Sequence, residues 1–355
     1  MSVASEIARL QNAKASIKTS IENKGVTVGD GTIDTYASKI DGIPTSSAVL
    51  GTKTITSNGT YKAVDDNLDG YSEVEVKTSG VNIWDYFIEQ PPSNQGQFIY
   101  YIKKLPVVDT SNLRTASYMF SGFMNLQEVP FIDTSKVTTM SYMFSNCSKL
   151  TEVPLLDTSS VTDMSSMFSN CNQLKTIPLF NTSNVTTMYG TFSGCSVIDN
   201  LPLLDTSKVT KMNNTFKRCY DLKKIPEINT ENVTSFNSTF YNCSNLYEIP
   251  ALNASKVTDV NQMFIICKKL KDFGGLINLG EAYNTRQPAN ISSYKLTLDD
   301  SPELTHDSLM NVINNLYDIK TKGCNPQGLV LGGTNLTKLT SEQIAIATER
   351  GWSVS

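Results

Sequence analysis

The sequence predicts an α/β repeat solenoid with a 24-residue period, preceded by an N-terminal helical segment and a small β module. The first observation is a row of prolines, Pro106, Pro130, Pro154, Pro178, Pro202, Pro226 and Pro250, evenly spaced without an insertion. A second row, Cys147, Cys171, Cys195, Cys219, Cys243 and Cys267, keeps the same interval. Self-similarity at a fixed period of this length is the signature of stacked repeats, in which each unit buries its apolar face only against its neighbours.

The third observation is that two periodicities coexist in each unit. Val161, Met164, Phe168 and Cys171 are spaced 3, 4 and 3, which predicts one helical face. Leu174 and Ile177, like Leu150 and Val153, belong instead to a short extended segment around the proline. One short strand plus one short helix or 3₁₀ stretch per period is a leucine-rich-repeat-like coil. Seven copies fill residues 105–275.

The flanks differ, as the ends of a solenoid must. Residues 80–104, with Trp84, Tyr86 and Phe87, are expected to cap the first coil. Residues 276–355 lose the period; KLTLDD and GLVLGG each precede a helical run, SLMNVINNLYDI and SEQIAIATERG, so longer strand-helix units should close the far end. Residues 45–79 are expected to form the β module, with Asn58-Gly59 between two alternating runs as a hairpin signal and YSEVEVK as a third strand. Residues 1–44 are the helical segment. Val3, Ile7, Leu10, Ile17 and Ile21 mark three heptads with Lys14 in the remaining core position, which fits either a coiled coil or one amphipathic helix docked on its own chain or on a partner protein. A second short helix is expected at TIDTYASKI.

Composition narrows the function. The 355 residues carry a net charge of −4 with 18% charged residues, so no basic field exists to hold nucleic acid. The mean hydropathy is −0.20 and no run approaches the length of a membrane span. MSVASEIARL lacks a basic patch followed by an apolar stretch, so no Sec signal is expected.

Each chemically suggestive row has a structural explanation. In-register cysteines point the same way, so they should be reduced, buried small hydrophobes; Phe123 fills their row in the first copy. The row Asp109, Asp133, Asp157, Asn181, Asp205, Asn229 and Asn253 shares only a short acceptor, suited to an Asx turn or a helix cap and not to calcium. Proline inside a ladder removes a donor, so the strand should be very short or bulged there. His306, the only histidine, falls in the first turn of a predicted helix. No P-loop, dinucleotide fingerprint, zinc-protease motif or nucleophile elbow occurs, so neither an enzyme activity nor a cofactor is expected.

A binding surface is expected beside the prolines. The row Val108, Ile132, Leu156, Phe180, Leu204, Ile228 and Leu252 never turns polar and should be core. The row before it, Val107, Phe131, Leu155, Leu179, Leu203, Glu227 and Ala251, tolerates Glu and is either an exposed apolar stripe or half-buried. The candidate ligand-binding residues are therefore Phe131, Leu155, Leu179 and Leu203, flanked by Gln127, Glu128, Thr151, Glu152, Lys175, Lys224 and Tyr247.

Residues 105–275 resemble the BspA-type leucine-rich repeats of bacterial surface proteins, especially the variant with LDTSxVTDMSxMFxxCxxL. That resemblance implies adhesion and recognition. Copy one departs with Ala116 and Phe123, and copy seven with Val260 and Gly274, both at the ends. ARLQNAKASIKTSIENKGVTV, IDTYASKIDGI and TKTITSNGTYKAVDDNLDGYSEVEVK resemble segments near the start of phage and prophage tail proteins. The two together imply a tail fibre or receptor-binding protein, made in the host cytoplasm and released by lysis on the virion tail. Residues 1–79 would then join tail or baseplate proteins and trimerise through Val3, Ile7, Leu10, Ile17 and Ile21, while the repeats meet a host-surface protein or polysaccharide. The alternatives are a BspA-like surface adhesin and a tail-associated glycan-cleaving enzyme.

Overall fold

A computed structural model describes residues 52–55, 73–76, 110, 112–129, 132–284 and 294–355, the first two segments as backbone only. The expected N-terminal helices with Val3, Ile7, Leu10, Ile17 and Ile21, the Asn58-Gly59 hairpin, the cap with Trp84, Tyr86 and Phe87, and Phe131 lie outside the described residues. Of the β module, β1 (Thr52–Ile55) pairs directly and in parallel with β2 (Glu73–Val76).

From Leu113 onward the chain stacks on itself one period at a time. Parallel bridges link Thr115, Thr139, Asp163, Thr187, Lys211, Ser235 and Asp259 in succession. The core is a set of columns running along this stack. Phe120, Phe144, Phe168, Phe192, Phe216, Phe240 and Phe264 stack with ring centroids 5.3–5.9 Å apart. Those distances exceed the ~4.8 Å between paired strands because offset rings are favoured over a direct sandwich. Phe123 and Phe273 close the column edge-on at its two ends.

The expected helical face is not a helix. Between Ala116 and Cys267 the segment that carries the 3-4-3 spacing is a run of turns. In the third copy Met167 N–H donates to Met164 O and Cys171 N–H to Phe168 O, two turns whose third residues, Ser166 and Asn170, have φ of 52° and 60°. A type II turn requires a positive φ at that position, which favours Gly and Asn. The same two positions recur through the stack, as Tyr142 and Asn146, Gly190 and Gly194, Asn214 and Arg218, Ser238 and Asn242, and Gln262 and Ile266. Between the turns, N–H groups of alternate residues leave their own coil. Met164, Ser166, Phe168 and Asn170 donate to Thr187, Tyr189, Thr191 and Ser193 of the next one. A helix would need these donors for its own carbonyls. The 3-4-3 spacing survives because Val161, Met164, Phe168 and Cys171 all point inward, each at most 1% exposed.

Proline explains why strands are scarce. Within the described coils, two-residue strands form at the last ones, where β3 (Glu248–Ile249) pairs with β5 (Asp272–Phe273), and β4 (Leu252–Asn253) with β6 (Leu276–Ile277). Pro250 separates β3 from β4. At the next coil Gly274 stands where the earlier copies have proline, and its N–H donates to Ile249 O at 3.0 Å. Proline has no such donor, so the earlier coils keep isolated bridges there or none.

Beyond Phe273 the units lengthen. β7 (Leu296–Thr297), β8 (Gln327–Val330) and β9 (Trp352–Val354) form a parallel sheet in the order β7-β8-β9. α1 (His306–Asn315) covers the last coil's edge. Ser308 Oγ accepts from Phe273 N–H and donates to Lys271 O, while Asn311 and Asn315 donate to Phe273 O and Gly274 O. An uncovered edge of this kind would template pairing with another chain. α2 (Gly333–Leu336) and α3 (Ser341–Glu349) follow, the latter opened by a capping box between Thr340 and Gln343. Arg350 Nη1 donates to the carbonyls of Ile313, Asn314 and Leu316, closing the C-terminus of α1.

Candidate functional site

The rows that looked like reagents hold the coils in shape. Asp133, Asp157, Asn181, Asp205, Asn229 and Asn253 each accept, through Oδ1, the N–H two residues on, at 2.9–3.2 Å. This is the Asx turn. Hydrogen bonds from the Ser135 and Ser207 hydroxyls, then from their N–H groups, hold the Asp133 and Asp205 carboxyls below the usual carboxylate value. The next row, Thr134, Thr158, Thr182, Thr206 and Thr230, is buried, and Thr158, Thr206 and Thr230 donate to the carbonyls of Asn181, Asn229 and Asn253. Sequence reasoning assigned these threonines nothing, although their recurrence in the DTS triplet was the available signal.

The cysteines are free and buried. Each thiol of the column donates to the carbonyl of a phenylalanine on the preceding coil, as Cys171 does to Phe144 O at 3.1 Å and Cys243 to Phe216 O at 2.9 Å. Burial pushes these thiols up, Cys195 and Cys267 to about 12, which leaves them protonated and poor nucleophiles. His306 occupies the first turn of α1 beside its cap Thr305, hydrogen-bonded to Asp307 and Gln343. Among the described residues no group of three or more His, Cys, Asp or Glu side chains could hold a metal, and no helix is long and apolar enough to cross a membrane.

The surface beside the prolines is different in kind. Thr151, Lys175, Asp199, Lys223 and Tyr247 share one row of the period, and backbone bonds from Lys175 N–H to Thr151 O, Lys223 N–H to Asp199 O and Tyr247 N–H to Lys223 O stack its members between coils. Glu152 lies next to it. Lys224 bridges to Glu248 in the adjacent column. All of these residues are exposed except Asp199, which is half-buried, and Gln127 and Glu128 are exposed on the first described coil. Asp199 and Lys223 form an ion pair at 3.1 Å, and Lys223 draws the Asp199 carboxyl down. Neither was among the candidates, although the period places both in this column. Leu155 and Leu203, in the apolar row, stand 48% and 60% exposed, while Leu179 between them is half-buried. Among its described members the companion row is core, with Ile132, Leu156, Phe180, Leu204 and Leu252 buried and Ile228 half-buried.

A family model described as "Mycoplasma protein of unknown function, DUF285" matches residues 98–201 and 196–294, which together are more than half of the chain. The chain belongs to this family. The DUF285 match covers all of the stacked coils and leaves residues 1–97 outside it. Among solved structures, the chain is similar to a leucine-rich repeat protein from Eubacterium ventriosum ATCC 27560, at 18% identity over 72% of this chain and 79% of that chain, with a TM-score of 0.35. A search of curated proteins gave no match.

Proposed function

We propose that this DUF285 chain is a BspA-like surface recognition protein whose leucine-rich-repeat-like solenoid holds a protein partner against the stripe beside the prolines. One observation carries the reading. Every other apolar row of the stack faces the core, and this one leaves Leu155 and Leu203 in solvent. An apolar centre rimmed by polar and charged side chains is the anatomy of a protein interface. Thr151, Lys175, Lys223 and Tyr247 supply a rim that changes from coil to coil, whereas the scaffold beneath it repeats. The resemblance to BspA-type repeats supports adhesion. The tail-fibre reading rests on residues 8–77 alone, outside the family match. Residues 1–44 remain, in this proposal, the segment that attaches and self-associates.

Gold-labelled antibody against residues 110–284 tests the location on intact producing cells and on particles released from them. Label on the cell envelope is the expected result; label confined to particle tails overturns the surface reading in favour of a tail fibre.

A further inference from the structure

About half a coil away from that stripe, across the core, lies a second face made by the bridge-forming residues and those two and three places after them. Its members in most coils are small and polar: Thr139 and Ser141, Asp163 and Ser165, Ser235 and Asn237. They are tied to one another between coils. Ser117 Oγ lies 2.9 Å from Ser141 Oγ, Ser165 Oγ 3.3 Å from Thr187 Oγ1, and Asn213 Nδ2 donates to Ser235 Oγ at 2.7 Å. From this floor rise two exposed aromatic rings, Tyr118 at the first described coil and Tyr189 further along. Tyr189, 43% exposed, takes the row that Ser117, Ser141 and Ser165 hold in the coils before it. Beside it Gly190 has no side chain, and a Cβ there would meet Ser166 Oγ at 3.1 Å, so the surface next to the ring is low. The bridges Asp163 to Thr187 and Thr187 to Lys211 set a carboxylate, a hydroxyl and an ammonium in a line two residues from the ring. Tyr142 lies on the same face two coils earlier, stacked on Tyr118 at 4.7 Å and 3°.

We infer that this face binds a neutral polysaccharide chain lying along the stack, with one pyranose ring seated on Tyr189. A pyranose has an apolar C–H face that packs on an aromatic ring and a rim of hydroxyls that both donate and accept. Around Tyr189, Asp163 only accepts, Lys211 only donates, and Asn213, Thr187 and Ser165 do both, which is the mixture such a rim requires. Asp163 and Lys211 offset each other, so there is no net field to select an anionic polymer. The inter-coil hydrogen bonds fix the polar groups before binding, which lowers the ordering cost of many weak contacts. The N–H groups of Met164, Ser166, Met188 and Gly190 already donate to the next coil, so an extended peptide could not be added as a strand here. Two coil steps, about 10 Å, separate Tyr142 from Tyr189 along the axis, so one linear chain reaches both.

The face is separate from the stripe of Leu155 and Leu203, so the two proposals stand or fall independently. Titrations of the full chain with cellohexaose, mannohexaose and chitohexaose, followed by saturation-transfer NMR, test the inference. Tyr189→Ser restores the residue of the preceding coils and should leave the fold intact. Tyr220→Ser, which likewise restores the serine of Ser196 and Ser244 on a different row, is the control. Binding of at least one oligosaccharide is expected, weakened roughly tenfold or more by Tyr189→Ser and unchanged by Tyr220→Ser. Binding of none of the three overturns the inference. So does equal binding by Tyr189→Ser, or equal loss in both variants.

Discussion

Ile266 is the residue least suited to its backbone. Its φ is 61°, in a row where Asn146, Asn170, Gly194 and Asn242 hold the same left-handed conformation. That conformation costs an ordinary L-residue about 1–2 kcal/mol, more when the side chain is β-branched, and Asn or Gly little. Ile266→Asn keeps the N–H that donates to Asp300 Oδ2 and sacrifices only part of a half-buried side chain. A net stabilisation of about 1 kcal/mol follows, which for a protein of this size raises Tm by about 1–2 °C. The reverse exchange, Asn170→Ile, imposes the same strain and also removes the Asn170 Nδ2 bond to Asn146 Oδ1 at 2.9 Å. It should cost about 2–3 kcal/mol, strain and one hydrogen bond together. Thermal unfolding of both variants of the full chain, followed by circular dichroism, measures the pair. Were the segment a helix, isoleucine and asparagine would differ by only a few tenths of a kcal/mol there. A neutral Asn170→Ile, or a destabilised Ile266→Asn, would therefore refute the turn-based account of the stack.

Further expectations come from the thiol column and from the glycine that replaces proline. An unfolded thiol ionises near 9.0, whereas burial holds Cys195 and Cys267 protonated to about 12. Stability is thus fully present below pH 9 and falls as pH rises between about 9 and 12, by about 1 kcal/mol per pH unit for each of these two thiols. Urea midpoints at pH 8, 9.5 and 11 should decline in that order, and a thiol reagent at pH 8 should label the column only after unfolding; a flat profile or rapid native labelling would contradict burial as the cause. Gly274→Ala places a Cβ 2.3 Å from Ala251 N and must displace backbone, so it should destabilise by about 2 kcal/mol or more in the same thermal assay; an unchanged Tm would mean that β3 and β5 are not in this register.

The period, the core rows and the structural use of the Asp and Cys rows were legible because each is a one-dimensional pattern. Leu156, Phe180 and Leu204 are buried because a row that never turns polar has nowhere else to go. The Asx turn at Asp157 followed from the exchange of Asp for Asn, which keeps the acceptor and discards the charge. The segment from Val161 to Cys171 was misread for a physical reason: a helix and two successive turns bury the same 3-4-3 positions. What separates them is where the N–H groups go, and the sequence betrays that only through Asn146, Gly194 and Asn242 at the positive-φ row. The candidate surface was readable as rows but not as columns. Asp199 and Lys223 share the row of Thr151 and Lys175, but that the two pair across adjacent coils shows only once the side chains are placed. Tyr189 escaped notice because a single aromatic in a serine row breaks no pattern.

The recognition claim rests most directly on Leu155 and Leu203. Glu227 already occupies their row, so Leu155→Glu with Leu203→Glu should fold with an unchanged Tm. Binding isotherms of the labelled full chain on intact target cells, for the native sequence and for this double variant, measure the claim. The account predicts saturable binding by the native chain and a loss of tenfold or more in the variant, about 1.4 kcal/mol. Equal binding by the two proteins would contradict it.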